Sequence, residues 1–366
     1  MTTICRAEVI GSLLRPAYLK EARKAWEAGE LPTPEFKRVE DRAVNEAIAL
    51  QEAAGLDVIT DGEMRRSHFT VSLTEAIAGL SQAPALTMHW HGQTPEEDFD
   101  FQRPVSVTGK IRRRRSLATA EFAYARGKAS KPLKITLPSP LVLALWWSPE
   151  HSTAAYSDPF VLFADAVDLL RQEVHELAGL GCQYLQIDAP EIATLVDESV
   201  RHTLYEAHGI STERMLGEGI EMINAIADAP GITFGLHLCR GNNQGRWLSQ
   251  GSYEAISKQV FQRATNYNVF LLEYDDWRSG SFEPLADIPQ DKTVVLGLVS
   301  TKRNTVEPAD GIVARIEEAS RYFPHEQLAL STQCGFASVL MGNPVDEAVQ
   351  EAKLQLVASV AHRVWA

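Results

Sequence analysis

Cysteine is scarce in this chain, and no two cysteines lie close together in it. The 366 residues contain four, Cys5, Cys182, Cys239 and Cys334, and none of them forms a C-x-x-C pair. Small secreted scaffolds are dense in cysteine because disulfides substitute for a large core. The wide spacing therefore does not indicate a disulfide framework, and we expect a cytoplasmic protein whose thiols stay reduced.

Long apolar runs and excess positive charge are also missing. No stretch of 18 apolar residues occurs, so no membrane span is expected, and residues 1–16 lack the pattern of a signal peptide. The net charge is −13 and the pI about 5.3, which argues against nucleic acids and anionic membranes as partners. A hydrophobic fraction of 45% with 23% charged residues is typical of a globular domain with a large core.

Short apolar segments alternate with amphipathic helical patterns along most of the chain. The apolar segments predict eight strands, at residues 8–10, 57–60, 133–137, 184–187, 232–239, 269–273, 293–298 and 327–331. Helical patterns cover residues 34–54, 159–179, 212–227, 253–265, 308–322 and 345–364. Such alternation builds parallel βαβ units and predicts an α/β fold, a single (β/α)8 TIM-type barrel over residues 1–366. A doubly wound sheet is the competing architecture, but no G-x-G-x-x-G motif follows the first strand.

Residues 66–126 interrupt the alternation. They contain a helical piece at 73–80, a strand-like segment at 104–111 and a basic run at 112–115. We interpret this stretch as a long excursion after the second strand that lies over the mouth of the barrel. It is not expected to form a separate domain.

Candidate metal ligands fall at the ends of three predicted strands. His237 and Cys239 are two residues apart on one strand, so their side chains share a face. Glu273 ends the next strand, and Cys334 follows the last one. Barrel closure brings strand ends to one rim, where one His, two Cys and one Glu would hold Zn²⁺. The alternative is that Cys239 and Cys334 are buried core thiols and His237 is a satisfied core histidine.

Six short motifs in order give the chain a recognisable resemblance. They are Ile10-Gly11-Ser12, Asp61-Gly62-Glu63, Gln186-Ile187-Asp188, His237-x-Cys239, Glu273 and Cys334-Gly335. Over residues 8–362 the sequence resembles the catalytic barrel of the cobalamin-independent methionine synthase family, in its short single-barrel form. The resemblance implies zinc-dependent transfer of a methyl group to the thiol of homocysteine, from a donor of the 5-methyltetrahydrofolate type, in methionine biosynthesis.

The resemblance also implies roles for individual residues. His237, Cys239, Glu273 and Cys334 would bind zinc, with Glu273 as the ligand that an incoming thiol displaces. Gly11, Ser12, Glu63 and Asp188 would hold the amino acid, since carboxylates suit an ammonium group. Trp146 or Trp147 would stack on the pterin of the donor. The alternatives are that Glu63 and Asp188 cap helices or pair with Arg65 or Arg66, that Glu191 replaces Asp188, and that the tryptophans pack the barrel top.

Two departures from the family leave other functions open. Long members have a second, N-terminal barrel that helps to bind the folate, and Val299 stands where the family has a proton-donating His. Lys302, Arg303, His68 and His89 are candidates to compensate.

The alternatives are alkylation of another thiol, as in epoxyalkane:coenzyme M transferase chemistry, and a non-catalytic zinc- or methionine-binding protein. A sulfonate thiol would need an arginine, and Arg6, Arg15, Arg65, Arg66 and residues 112–115 are available. The sequence leaves the donor, the physiological thiol and a homo-oligomeric state open.

Overall fold

A computed structural model of the chain describes residues 4–365 and contains a curled parallel sheet. The strands, numbered along the chain, are β1 (Ala7–Glu8), β2 (Ile77–Gln82), β3 (Thr87–Trp90), β4 (Phe99–Gln102), β5 (Val105–Arg113), β6 (Lys134–Pro138), β7 (Tyr184–Asp188), β8 (Thr233–Leu238), β9 (Val269–Glu273), β10 (Thr293–Val299) and β11 (Leu328–Thr332). Seven of them form one sheet in the order β1-β11-β10-β9-β8-β7-β6, and every pair in it is parallel.

The predicted second strand closes this sheet into a barrel. Val58 forms a parallel bridge with Glu8 of β1, and Ile59 forms one with Leu133, next to β6. Residues 58–59 therefore lie between the two edge strands, in the position of an eighth strand. The predicted TIM-type barrel is confirmed, although this strand is reduced to two bridged residues.

Helices cover the outside of the barrel. The α-helices are Ala17–Glu27, Thr33–Ala54, Val71–Ala76, Thr119–Ala125, Pro149–Ser152, Pro159–Gly179, Pro190–Ala193, Glu198–Val200, Thr212–Leu216, Glu218–Ile226, Ser257–Phe261, Ala309–Ala319 and Glu347–Val364. The predicted helix at 212–227 is broken at Gly217, whose φ of −95° and ψ of −94° are not helical. None of the helices within residues 4–365 is both long and apolar enough to cross a membrane.

The excursion at 66–126 contains two antiparallel strand pairs. The prediction of a helix over 73–80 is wrong beyond Ala76, because Ile77 is extended, with φ −116° and ψ 152°, and the chain continues as β2, paired with β5. Gly79, with a φ of 97°, lies inside β2 where the pairing shifts register, and glycine tolerates this left-handed conformation. The second pair is a hairpin of β3 and β4. Trp90 and Phe99 of this hairpin line the cavity at the barrel mouth, as expected of a covering segment.

Candidate active site

A cavity of about 440 Å³ opens at the carboxyl ends of the strands. Seven of the ten predicted site residues line it: Gly11, Ser12, Glu63, Asp188, His237, Cys239 and Cys334. They are up to 323 positions apart in sequence (Gly11 to Cys334), and they meet because parallel strand ends share one rim. The remaining three, Glu273, Trp146 and Trp147, are not among its described lining residues.

His237, Cys239 and Cys334 form a compact group of metal-ligating side chains. One donor atom from each lies within 4.8 Å of the other two, and all three residues are buried. The Nδ1 of His237 is 3.1 Å from the carbonyl oxygen of Leu271, which orients the ring. Its Nε2 is buried and has no hydrogen-bond partner in the described part of the chain. A metal ion would give this nitrogen a partner, so the donor set fits the zinc predicted from the sequence.

The two thiols have different electrostatic surroundings. The neighbouring Cys239 thiol and the His237 imidazole lower the pKa of Cys334 well below its usual range, against the effect of burial. The pKa of Cys239 is raised by Cys334 and by burial. One thiolate is thus favoured in the protein alone, and a thiolate is the form of cysteine that ligates a metal.

Among residues 4–365, the group of metal-ligating side chains consists of His237, Cys239 and Cys334 and does not include Glu273. Its Oε1 accepts a hydrogen bond from Lys302 Nζ at 3.0 Å and lies 3.5 Å from Arg278 Nη2. Its Oε2 accepts one from the backbone N–H of Arg240 at 2.7 Å. Burial alone would raise the pKa of Glu273, but Lys302, Arg278 and Arg240 lower it to about 2. The carboxylate is charged and already engaged by cations, so its role as a zinc ligand stays a prediction.

Glu63 and Asp188 are two cavity carboxylates with free bonding capacity. Glu63 Oε1 accepts a hydrogen bond from Thr136 Oγ1 at 2.7 Å, whereas its Oε2 is buried with no partner among the described residues. Asp188 accepts one from Gln186 Nε2 at 2.7 Å. Burial, and the charge of Glu63, raise the pKa of Asp188 to about 7. A cation bound between them would relieve this repulsion, because an opposite charge favours the ionised form.

The backbone beside these carboxylates is packed so closely that two glycines are required. A Cβ on Gly11 would lie 2.7 Å from Glu63 Oε1, and a Cβ on Gly335 would lie 2.1 Å from Ser12 Oγ. Both distances are too short for a side chain, so glycine lets Glu63 and Ser12 reach the cavity wall. Ser12 Oγ in turn accepts a hydrogen bond from the N–H of Ala337 at 3.3 Å.

Trp146 and Trp147 are almost fully buried, with exposed fractions of 5% and 2%. The Nε1 of Trp147 donates to the carbonyl of His208 at 3.0 Å. The neighbouring Leu145 lines the cavity instead. Stacking of a donor on either tryptophan therefore stays a prediction.

Arg103 is a cavity residue that sequence reasoning missed. It lines the cavity, and its guanidinium carbon lies 4.2 Å from the ring centroid of Trp146. Its Nε is buried and has no hydrogen-bond partner among residues 4–365. Burial lowers the pKa of the Arg103 side chain to about 10. No sequence motif marks it, since only the folding of the excursion brings it to the cavity.

The residues proposed to compensate for the missing histidine have other contacts. Val299 itself is buried in β10. Lys302 binds Glu273, and Arg303 Nη2 lies 3.2 Å from Asp276 Oδ2. His68 lines the cavity, but burial, with the charges of Arg103 and Arg15, lowers its pKa to about 3. His68 is therefore neutral near pH 7 and is a poor proton donor there.

The barrel brings buried His and Cys donors and two carboxylates to the rim where barrel enzymes carry their active sites, and this set of side chains suits a metal ion and a small polar molecule. Residues 5–354 match the family described as "Cobalamin-independent synthase, Catalytic domain". The chain belongs to this family, and the predicted membership is confirmed. The family and its structural neighbours make it a methyltransferase of the methionine synthase type.

Individual relatives match along most of the chain. The chain is 33% identical over 365 residues to the uncharacterized protein YxjH of Bacillus subtilis, covering 98% of this chain and 94% of the relative. It is 24% identical to a methionine synthase of Saccharolobus solfataricus, covering 89% and 86%.

Two solved structures share the fold. A putative vitamin-B12-independent methionine synthase of Listeria monocytogenes superposes with a TM-score of 0.74 at 25% identity, covering 100% and 99% of the two chains. A B12-independent methionine synthase of Shewanella, in complex with selenomethionine, gives 0.76 at 20% identity, covering 99% and 98%.

Proposed function

We propose that this protein transfers a methyl group to the thiol of homocysteine with the help of a zinc ion. The observation that carries the proposal is one cavity in which His237, Cys239 and Cys334 lie together with Glu63 and Asp188. The first three suit a soft metal and the thiol it would bind. The two carboxylates suit an α-ammonium group. Homocysteine carries both groups on one short chain.

One set of residues would bind the metal that activates the thiol, and another would bind the amino-acid end of homocysteine. His237, Cys239 and Cys334 would hold the zinc, whose charge lowers the pKa of a bound thiol and makes the thiolate available. Glu63 and Asp188 hold the ammonium group and so fix the sulfur relative to the donor. The backbone at Gly11 and Ser12 would receive the carboxylate. Transfer is a direct displacement in which the sulfur–carbon bond forms as the donor's bond to the methyl carbon breaks. The electron pair of that bond stays on the donor's leaving atom, which takes up one proton, and the thiol loses one when it ionises.

Arg103 favours an anionic co-substrate. It is a cation on the cavity wall whose Nε lacks a hydrogen-bond partner within the described chain, and buried cations are normally paired. A carboxylate-bearing donor of the 5-methyltetrahydrofolate type would satisfy it. A sulfonate thiol such as coenzyme M would do the same, which makes alkylation of that thiol the second candidate. Two of the arginines predicted from the sequence are engaged elsewhere: Arg15 by carbonyls of Glu63 and Ala337, and Arg66 by Glu121.

Product identification tests the proposal and its alternatives. Zinc-loaded protein is offered homocysteine or coenzyme M, each with 5-methyltetrahydrofolate, its polyglutamate form, S-methylmethionine or an epoxide. We expect methionine, detected by mass, from homocysteine and a folate donor. A thioether formed only from coenzyme M would replace the proposal with the second candidate. Methionine binding with no product from any pair would indicate the non-catalytic binding protein.

Replacing Glu273 by glutamine tests whether this residue is a resting zinc ligand. We refer to His237, Cys239 and Cys334 as the central group. We expect Glu273→Gln protein to keep about one zinc at this group, because the native carboxylate is engaged by Lys302 and Arg240. It should lose stability, by about 3–5 kcal/mol, because buried cations are left without their partner. The measurements are zinc content after dialysis and the free energy of unfolding.

A double variant serves as the control for this experiment. Glu273→Gln with Lys302→Met removes one charge of each sign, so it should recover part of the lost stability. Folded Glu273→Gln protein that loses its central zinc would instead place Glu273 among the ligands, as the family resemblance implies.

A further inference from the structure

The hairpin that covers the cavity has two chemically different faces. In the β3–β4 pair, His89 lies opposite Asp100 and Trp90 lies opposite Phe99. Side chains alternate between the faces of a strand. Met88, Trp90, Phe99 and Phe101 line the cavity, so His89, His91, Asp98 and Asp100 lie together on the other face. This outer face takes no part in the function proposed above.

Three donor atoms converge on this outer face. His89 Nε2 lies 3.5 Å from Asp98 Oδ2, and His91 Nδ1 lies 3.3 Å from the same oxygen. Each of the three atoms is within 4.8 Å of the other two. Two imidazole nitrogens and a carboxylate oxygen are a common donor set for Zn²⁺ and similar divalent ions.

Each donor is also oriented by a second contact. His89 Nδ1 is 2.7 Å from Asp100 Oδ1, which leaves Nε2 as the free nitrogen. Asp98 Oδ1 accepts a hydrogen bond from the N–H of Gly92 at 2.7 Å, which turns Oδ2 toward the two imidazoles, where His91 Nδ1 is within hydrogen-bond distance. His91 stacks on Trp247 with ring centroids 6.0 Å apart, and its backbone bridges to Trp247. A carboxylate on the far nitrogen of a ligating histidine is the usual second shell of protein metal sites.

We propose that His89, His91 and Asp98 form a second metal site, with Asp100 as the group that orients His89. The site takes a borderline divalent ion such as Zn²⁺, Co²⁺ or Ni²⁺, and solvent fills the remaining positions because the cluster is half exposed. It is separate from the central group, since the two sets share no residue. A bound ion joins both strands of the hairpin and, through His91, the segment around Trp247. It would therefore hold the cavity cover in place.

Cobalt titration of the metal-free full-length protein tests this site directly. We expect two equivalents of Co²⁺ per chain. Only the central group supplies sulfur ligands, so thiolate-to-cobalt charge transfer reports that group alone. The hairpin ion should add only weak visible bands. His89→Asn with His91→Asn should bind one equivalent and keep the full charge-transfer band.

Two further variants make the test specific. His202→Asn is the matched control, since His202 is exposed and faces a single carboxylate, Glu206, at 3.7 Å; it should still bind two equivalents. Asp100→Asn should keep two sites but weaken the hairpin site about 10- to 100-fold, the usual cost of losing a second-shell partner.

Two results would overturn the proposal. One is a native chain that binds a single equivalent and shows the full charge-transfer band, and the other is a His89→Asn, His91→Asn protein that still binds two. Neither result bears on the proposed transfer reaction, because the charge-transfer band follows the central group independently. Loss of that band in the His89→Asn, His91→Asn protein would show a folding defect. The Asp100→Asn protein then tests the hairpin site in its place, since this substitution should lower only the metal affinity of that site.

Discussion

Replacing Cys334 by serine should remove the central zinc and abolish methyl transfer. Serine oxygen is a hard, protonated donor, whereas zinc sites of this kind use thiolate. Cys334 is also the residue whose pKa its neighbours lower, so it supplies negative charge that the buried site needs. Changes in the second shell already cost about 10- to 100-fold in metal affinity or activity, and we expect a larger loss here. Zinc content and the rate of methionine formation measure it.

Cys182→Ser is the matched control for this substitution. Cys182 is also buried, but its Sγ lies 3.4 Å from the carbonyl oxygen of Tyr184 and it is not among the described residues of the cavity wall. This variant should keep full zinc and full activity. A Cys334→Ser protein with undiminished zinc and turnover would refute the central group as the metal site. We expect Cys239→Ser protein to lose zinc and activity as Cys334→Ser protein does.

The barrel could be predicted because its elements are encoded locally. The helix at Pro159–Gly179 matches the prediction at both ends: Asp158 caps it and Pro159 stands in its first turn, a recognised start signal. The strand at Val269–Glu273 also matches. Two of the helix predictions fail for different reasons. The chain becomes extended at Ile77 and pairs as β2, although a helix was predicted up to residue 80. Gly217 breaks a helix whose apolar pattern runs through it.

The site was predictable only where strand ends determine it. His237 and Cys239 share a strand face because of their spacing, and closure of the barrel brings Cys334 to them. Contacts made by loops and by the excursion carry no such pattern. Sequence alone does not show that Lys302 reaches Glu273, or that Arg103 folds back over Trp146. Both contacts join segments that are far apart in the sequence, and no periodic pattern of residues indicates that these segments meet.

Replacing Glu63 by glutamine, or Asp188 by asparagine, should destroy the preference for an amino-acid thiol. In the proposed function each change removes a buried charge that would face the ammonium group, and losing one partner of such a pair costs about 2–5 kcal/mol. At 1.4 kcal/mol per factor of ten, kcat/KM for homocysteine should fall about 30- to 4,000-fold. The des-amino thiol 4-mercaptobutanoate lacks the ammonium, so its kcat/KM should change little. The ratio of the two constants is the measurement.

Glu191→Gln separates this role from the general effect of a buried carboxylate. Glu191 is 1% exposed, and burial raises its pKa to about 8, so near pH 7 it is mostly neutral, as glutamine is. It is not among the described lining residues of the cavity. The substitution should leave the preference for homocysteine unchanged. If Glu191→Gln lowered that preference while Asp188→Asn did not, Glu191 would be the ammonium ligand. If neither these changes nor Glu63→Gln altered it, the thiol would not be an amino acid, and Arg103 would become the anchor of its charge.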